Sequence, residues 1–230
     1  MNFLGKTQLG SLRHRGNILA PATRPWITDL SALTPYEGLE PGNLPEFERD
    51  PDWAAWELGD TPDAEADALK WLVFETETKR LLVADRMLMS RVSWADLDAA
   101  GYVFGRDITI DGKPWNIRLL TGGNAPADDK MAGAKSPNEW DTLLPGNAND
   151  APSPTKEDFA QPLSEQHRNS QHNADWHWFG AVSWVQDTCE GRLDGRVCRG
   201  YHGPLYFYEN TIDHRHEDIG WRPVLETSRD

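Results

Sequence analysis

The stretch from Trp176 to Glu226 constrains the fold of this chain more than any other part of the sequence. It holds four of the eleven tryptophans, both cysteines and four of the seven histidines. Two short pieces within it carry most of the pattern: RVCRGY over residues 196–201 and GWRPVLE over residues 220–226. The second piece is apolar and follows a turn glycine, Gly220, so it predicts a strand in the middle of a sheet. Together the two pieces indicate a fold, but they name neither a ligand nor a reaction.

These two pieces, separated by an irregular loop, resemble the closing half of the C-type-lectin-like superfamily. The pattern is similar to the branch that contains sulfatase-modifying enzymes and variable phage tip proteins. In that branch an upstream tryptophan-rich run often ends in an acidic residue, and Trp176, Trp178, Trp184 and Asp187 look like that run. Residues 85–226 also resemble phage and prophage proteins with patterns similar to DRMLMSRVSW, IDGKPWNIRLLTGG, NEWD, SWVQD and GWRPVLE. The resemblance implies an α+β domain with a twisted antiparallel sheet and two short helices.

Proline divides the chain into two parts. Seven prolines interrupt the first 65 residues, where the apolar residues follow neither a strand period nor a helix period. Since proline fixes φ and removes a hydrogen-bond donor, long regular elements are not expected there. We therefore predict an extended arm over residues 1–65 and a C-type-lectin-like domain over residues 66–230. The alternative is a disordered leader.

The predicted arm carries aromatic side chains that are too apolar for a freely solvated tail. These are Trp26, Tyr36, Trp53 and Trp56. We expect them to pack on a neighbour, which is either the same domain or a second subunit. In the second case the arm would direct assembly into a homo-oligomer.

Two hairpins are predicted in the middle of the chain. Residues 71–75 and 79–85 are apolar runs on either side of a short polar turn. The dipeptide Asp111-Gly112 joins the alternating run 107–110 to residues 115–120, which is the pattern of a tight β-turn.

Two short helices and one last strand complete the prediction. Ser93 and Asp96 have the spacing of a capping box, which starts a helix at Trp94. A second helix is expected to start near Asn138. The last strand is expected to include Trp221–Leu225.

The two cysteines permit one internal disulfide. A turn at Asp194-Gly195 would place Cys189 opposite Cys198, and facing strand residues lie close enough for a bridge. The alternative is a pair of reduced, partly buried thiols, as in most cytosolic proteins. The sequence leaves both readings open.

Charge and hydropathy exclude several classes of partner. The net charge is −14 and the isoelectric point is near 4.9, which opposes binding to nucleic-acid phosphates. No run of eighteen apolar residues is present, so no membrane span is predicted. The N-terminus has no apolar core of a secretion signal, so we expect synthesis in the cytoplasm. A place on a particle, the virion, is compatible with all three observations.

No catalytic or metal-binding set emerges from the sequence. His214, His216, Glu217 and Asp218 offer candidate ligands, but no HExxH motif and no paired CxxC motif accompanies them. Sulfatase-modifying enzymes use a close cysteine pair downstream of the Arg-Gly run, and residues 203–219 contain no cysteine. We therefore predict no catalytic residues, no metal and no cofactor.

Recognition is the remaining class of function. Aromatic residues supply contact area at small entropic cost, and several follow the Arg-Gly run. The predicted ligand- or partner-binding residues are His202, Tyr206, Phe207, Tyr208, Trp176 and Trp178.

The resemblance to phage proteins implies a phage virion structural protein, a tail-tip, fibre or capsid-decorating component, and the predicted arm, the acidic composition and the missing catalytic set agree with it. Its expected partners are other virion proteins and a host-surface glycan or protein. The alternatives are an enzyme or metal protein of the sulfatase-modifying type and a soluble lectin-like binding module.

Overall fold

A computed structural model describes residues 2–22, 44–143, 177, 180–201 and 203–228 of the chain. Within these residues the fold is α+β and is dominated by antiparallel sheet, with two short α-helices. The strands are β1 (Asn2–Gln8), β2 (Ser11–His14), β3 (Asn17–Leu19), β4 (Trp56–Gly59), β5 (Lys70–Glu75), β6 (Lys79–Ala84), β7 (Met89–Ser90), β8 (Arg106–Ile110), β9 (Lys113–Arg118), β10 (Val182–Thr188), β11 (Gly195–Gly200), β12 (Phe207–Thr211), β13 (Ile219–Trp221) and β14 (Val224–Ser228). The helices are α1 (Trp94–Ala99) and α2 (Glu139–Leu143).

Three sheets share the described residues. A six-stranded sheet has the order β1-β5-β6-β14-β9-β8, and all its neighbours are antiparallel. A five-stranded sheet has the order β12-β11-β10-β13-β7, in which β10 and β13 run parallel. A small sheet has the order β3-β2-β4. No described helix is long and apolar enough to cross a bilayer.

The inner strands β5 and β6 of the six-stranded sheet are covered on both faces. Along β5, Trp71 belongs to one hydrophobic cluster and Leu72 to another, because successive strand residues point to opposite faces. The same alternation holds along β6, where Leu82 faces the first cluster and Val83 the second. Burial on both faces explains why β5 and β6 read as continuous apolar runs.

Both predicted hairpins are confirmed. Strands β5 and β6 pair antiparallel, with Trp71 opposite Ala84 at one end and Glu75 opposite Arg80 at the other. Strands β8 and β9 pair around Asp111 and Gly112, whose φ values of 52° and 71° are those of a type I′ turn.

Both predicted helix starts are also confirmed. The Ser93 side chain accepts a hydrogen bond from the Asp96 backbone, and the Asp96 side chain accepts one from the Ser93 backbone. Helix α2 begins one residue after Asn138, whose side-chain oxygen accepts from the Asp141 backbone at 2.8 Å. These starts are encoded locally because the capping side chains lie within one turn of the backbone groups that they satisfy.

The predicted single strand over Trp221–Leu225 is wrong in one respect. Arg222 and Pro223 separate β13, which joins the five-stranded sheet, from β14, which lies between β6 and β9. Proline lacks the backbone donor that a continuous inner strand needs, so the chain changes sheet at this point. The expected central position is correct for β14.

The first 65 residues contain more regular structure than the sequence indicated. Strand β1 pairs with β5 along six register positions at the edge of the main sheet. Leu12, Trp56 and Leu58 lie in the same hydrophobic cluster as Trp71 and Trp221. Regular structure is therefore present in the described part of this segment, although only β1 is longer than four residues.

Trp53 and Trp56 were expected to serve assembly, and their packing corrects that expectation. Trp56 is 8% exposed, and the Trp53 ring packs edge-on against Trp221 with centroids 5.7 Å apart. Of the two neighbours that the sequence left open, these side chains pack on the domain itself. Trp26 and Tyr36 lie outside the described residues.

Of the two alternatives for the cysteines, the structure has the reduced pair. Cys189 and Cys198 are both buried free thiols. Cys198 pairs with Trp184 and belongs to the first cluster, whereas Cys189 lies beyond β10 in the second cluster. The turn lies between Cys189 and Gly195, so the Cys189 backbone donates to the Gly195 carbonyl at 3.0 Å, whereas Cys198 lies further along β11 and faces Trp184.

Gly220 provides a test of the contact between β13 and β7. A Cβ atom at this position would lie 1.9 Å from the Met89 carbonyl oxygen and 2.7 Å from the Met87 sulfur. Gly220→Ala is expected to lower the free energy of unfolding by about 3 kcal/mol, since the backbone must move. Gly112→Ala is the control, because its Cβ meets nothing within 4 Å and its left-handed φ costs only about 1–2 kcal/mol. Urea titration of both variants measures the difference; an equal loss would contradict the close contact.

Candidate ligand-binding site

The hairpin of β11 and β12 presents two tyrosines on one face. Phe207 points into the second hydrophobic cluster and is 1% exposed, whereas Tyr208 is 39% exposed. Tyr206 precedes the strand on the same side as Tyr208, and their rings stack with centroids 6.1 Å apart and planes at 19°. The alternation of a strand explains this separation of core and surface aromatics.

Arg199 fixes the turn that carries Tyr206. Its side chain is fully buried and donates hydrogen bonds to the carbonyl oxygens of Leu205 and Tyr206, at 2.9 and 3.3 Å. It also donates to the Gly122 carbonyl and forms an ion pair with Asp141. Burial lowers the pKa of Arg199, and Asp141 acts in the opposite direction. The turn is thus held by a charged group inside the protein.

The loop from residue 212 to 218 is tied to helix α1. Arg215 donates two hydrogen bonds to the Asp96 carboxylate, at 2.7 and 2.8 Å. Burial raises the pKa of Asp96, but the hydrogen bonds from Arg215 and Ser93 outweigh it, so this pKa lies below its usual range. Arg91 adds a second anchor, because its backbone donates to the His216 carbonyl at 3.1 Å.

The hairpin and the loop enclose a pocket of about 400 Å³. The hairpin side supplies Tyr201, Tyr206, Tyr208 and Asn210. The loop supplies His214, His216 and Asp218. Tyr201 has a φ of 79°, a rare conformation for a non-glycine residue, and such backbone is typical of functional sites.

The two histidines stack on each other beside a carboxylate. Their ring centroids lie 6.2 Å apart with planes at 11°. His216 Nδ1 lies 2.7 Å from Asp218 Oδ1. Burial lowers the pKa of His214 below its ordinary value, and the neighbouring His216 acts in the same direction. The neutral form of this imidazole is therefore favoured at pH 7. Among the described residues, no group of three or more side chains has the arrangement of a metal site.

The thiols lie outside this pocket and are protonated at neutral pH. Burial raises the pKa of Cys189 to about 11, and the adjacent Glu209 carboxylate acts in the same direction. Burial raises the pKa of Cys198 still further. A thiol is a poor nucleophile unless it ionises, so neither position has the environment of a reactive cysteine.

The structure groups only some of the predicted binding residues. Tyr206 and Tyr208 line the pocket, whereas Phe207 is corrected to a core position because it faces inward. His202, Trp176 and Trp178 lie outside the described residues.

Sequence reasoning did not select Tyr201, Asn210 or Asp218 as binding residues. The alternation of Tyr206, Tyr208 and Asn210 along one strand face was available as a signal. Asp218 was considered only as a metal ligand, and its place in the pocket depends on the parallel pairing of β10 with β13.

No protein-family model matches the sequence, and no curated protein matches it. Among solved structures, the chain is similar to Treponema denticola variable protein 1, with a TM-score of 0.36 and 10% sequence identity. The match covers 68% of this chain and 95% of that chain. A likeness at this level establishes neither a fold family nor a function.

Proposed function

We propose that this protein is a phage virion structural protein, a tail-tip, fibre or capsid-decorating component with a C-type-lectin-like fold. The pocket between the hairpin and the loop carries the proposal. Its stacked tyrosines, Tyr206 and Tyr208, stand at the surface on a turn and a strand that the buried Arg199 holds in place. Rigid, partly exposed aromatic groups are typical of surfaces that act by recognition.

The proposed mode of action is binding, to other virion proteins and to a host-surface glycan or protein. The pocket volume suits one side chain or a small group better than an extended polymer. The net charge of −14 disfavours nucleic acid as a partner. Assembly into a homo-oligomer on the particle is part of the proposal.

Mass spectrometry of purified particles tests the location. Peptides of this chain are expected in particles at a constant ratio to the major capsid protein after density-gradient purification. Recovery in the cytosolic fraction of the producing cells, and not in particles, would overturn the virion assignment. Light scattering of the purified full-length protein tests the oligomer.

A surface variant tests the recognition. Tyr208→Ala is expected to weaken binding of the purified protein to host cells at least tenfold, the effect of about 1.4 kcal/mol or more at a central aromatic contact. Phe104→Ala is the matched control, because Phe104 is 66% exposed and does not line the pocket. Equal binding by both variants would place recognition elsewhere.

A further inference from the structure

We propose that the pocket takes a guanidinium group, presented by an arginine of a basic protein partner. This inference rests on the proposed function, in that the pocket is the recognition site, and it adds the chemistry of what is recognised.

The described lining of the pocket offers hydrogen-bond acceptors and one carboxylate. Asp218 is the acidic residue in the lining, and no lysine or arginine is among the described residues that line it. Asp218 Oδ1 is engaged by His216, whereas no described residue donates a hydrogen bond to Asp218 Oδ2. A ligand that brings donors and positive charge would satisfy this oxygen.

Asn210 adds a second acceptor. Its amide nitrogen is directed at the buried Cys198 sulfur, at 3.9 Å. Asn210 also lines the pocket, and no described side chain donates to its Oδ1 atom. A guanidinium carries a planar fork of donors that can serve more than one acceptor, whereas an ammonium is a compact point charge.

The aromatic rings suit the same group. Tyr201, Tyr206 and Tyr208 contribute ring surface to the lining, and cations bind the faces of such rings. Lys130 already shows this attraction, because its Nζ lies 5.9 Å from the centroid of the Tyr208 ring. Arginine stacks on aromatic faces while its edge donates hydrogen bonds, so it uses the rings and the oxygens together. The overall charge of −14 adds a long-range attraction for a basic partner.

A matched pair of peptides tests the ligand class on the full-length protein. The probes are acetylated, amidated Gly-Arg-Gly-Arg-Gly and the same peptide with citrulline, which keeps the shape and removes the charge. Titration followed by protein NMR is expected to show binding of the arginine peptide that is at least tenfold tighter than binding of the citrulline peptide. Equal affinity for the two, or binding of neither, would overturn the inference.

Charge-matched variants separate the pocket from general attraction. Asp218→Asn is expected to weaken binding of the arginine peptide at least tenfold. Glu57→Gln removes the same charge from an exposed position on β4 outside the lining and is expected to have no effect. Equal weakening by both variants would show that the peptide is attracted by the overall negative charge and does not bind in the pocket.

A second pair of variants keeps the test independent of folding defects. Tyr206→Leu is expected to weaken binding of the arginine peptide. Tyr206→Phe is expected to keep the affinity, because the ring face remains. A loss of affinity by Tyr206→Phe equal to that by Tyr206→Leu would contradict stacking on the ring.

The outcomes also separate this inference from the proposed function. If the arginine peptide does not bind but Tyr208→Ala still weakens binding to host cells, the proposed recognition function is supported and the proposed ligand class is wrong. If the peptide binds but Tyr208→Ala leaves host binding intact, the site stands and its proposed use is wrong.

Discussion

A chain that ends at Ile219 is expected not to fold. The deletion of residues 220–230 removes β14, which lies between β6 and β9, and so splits the six-stranded sheet into two parts. It also removes the buried side chains of Trp221, Val224 and Leu225 from the two clusters. Loss of one large buried side chain costs about 2–5 kcal/mol, and the stability of a typical domain is only about 5–15 kcal/mol.

Thermal melting followed by near-ultraviolet circular dichroism measures this result. The shortened chain is expected to show no cooperative transition. A chain shortened only by residues 229 and 230, which keeps all of β14, is the control and is expected to melt cooperatively. A native-like transition in the chain that ends at Ile219 would contradict the central role of β14.

Two buried arginines are expected to respond very differently to replacement by methionine. Arg199 donates to three carbonyl oxygens and pairs with Asp141. Arg199→Met leaves those acceptors and the carboxylate without their donor, so the free energy of unfolding is expected to fall by about 3–5 kcal/mol. The Tyr206 turn is expected to loosen with it.

Arg222 has much less compensation for the same burial. It donates to the His177 carbonyl at 2.9 Å, but its Nε and Nη1 atoms are buried and have no partner among the described residues. Burial lowers the pKa of Arg222 to about 9, while the nearby Asp85 acts in the opposite direction. Since the folded pKa is depressed, the contribution of Arg222 to the free energy of unfolding is expected to become more favourable as the pH rises above about 9, and the buried charge is a cost below it.

Arg222→Met is therefore expected to change stability by less than about 1 kcal/mol, or to increase it. Denaturant titration of both arginine variants at pH 7 gives the comparison. Equal destabilisation by the two would contradict the difference in their hydrogen bonding.

Local sequence was sufficient to predict the turns and helix starts whose backbone hydrogen bonds are formed within a few residues. The Asp111-Gly112 turn and the Ser93–Asp96 capping box each lie within a few residues, and both were predicted correctly. The break at Arg222 and Pro223 was missed, because the apolar pattern of residues 221–225 does not reveal which sheet each half joins.

Long-range pairing was the limit of the sequence prediction. β1 carries no apolar period of its own, and its structure comes from pairing with β5. The prolines of the first 65 residues suggested an arm, yet Trp56 and Leu58 complete the central cluster. In the pocket, Tyr206 and Tyr208 were predicted from their aromatic character, whereas Tyr201 and Asp218 depend on contacts between distant strands.

The division of the last residues between two sheets has a consequence for synthesis. Val224 pairs with both Val83 and Arg118, and Gly220 contacts β7, so neither sheet is complete until residues 219–228 have left the ribosome. Earlier segments of the nascent chain would wait with open strand edges, a state that is prone to aggregation and that chaperones protect. The two sheets can therefore be completed only after residues 219–228 have been translated. Before that moment, intermediates that lack these long-range strand pairs are expected.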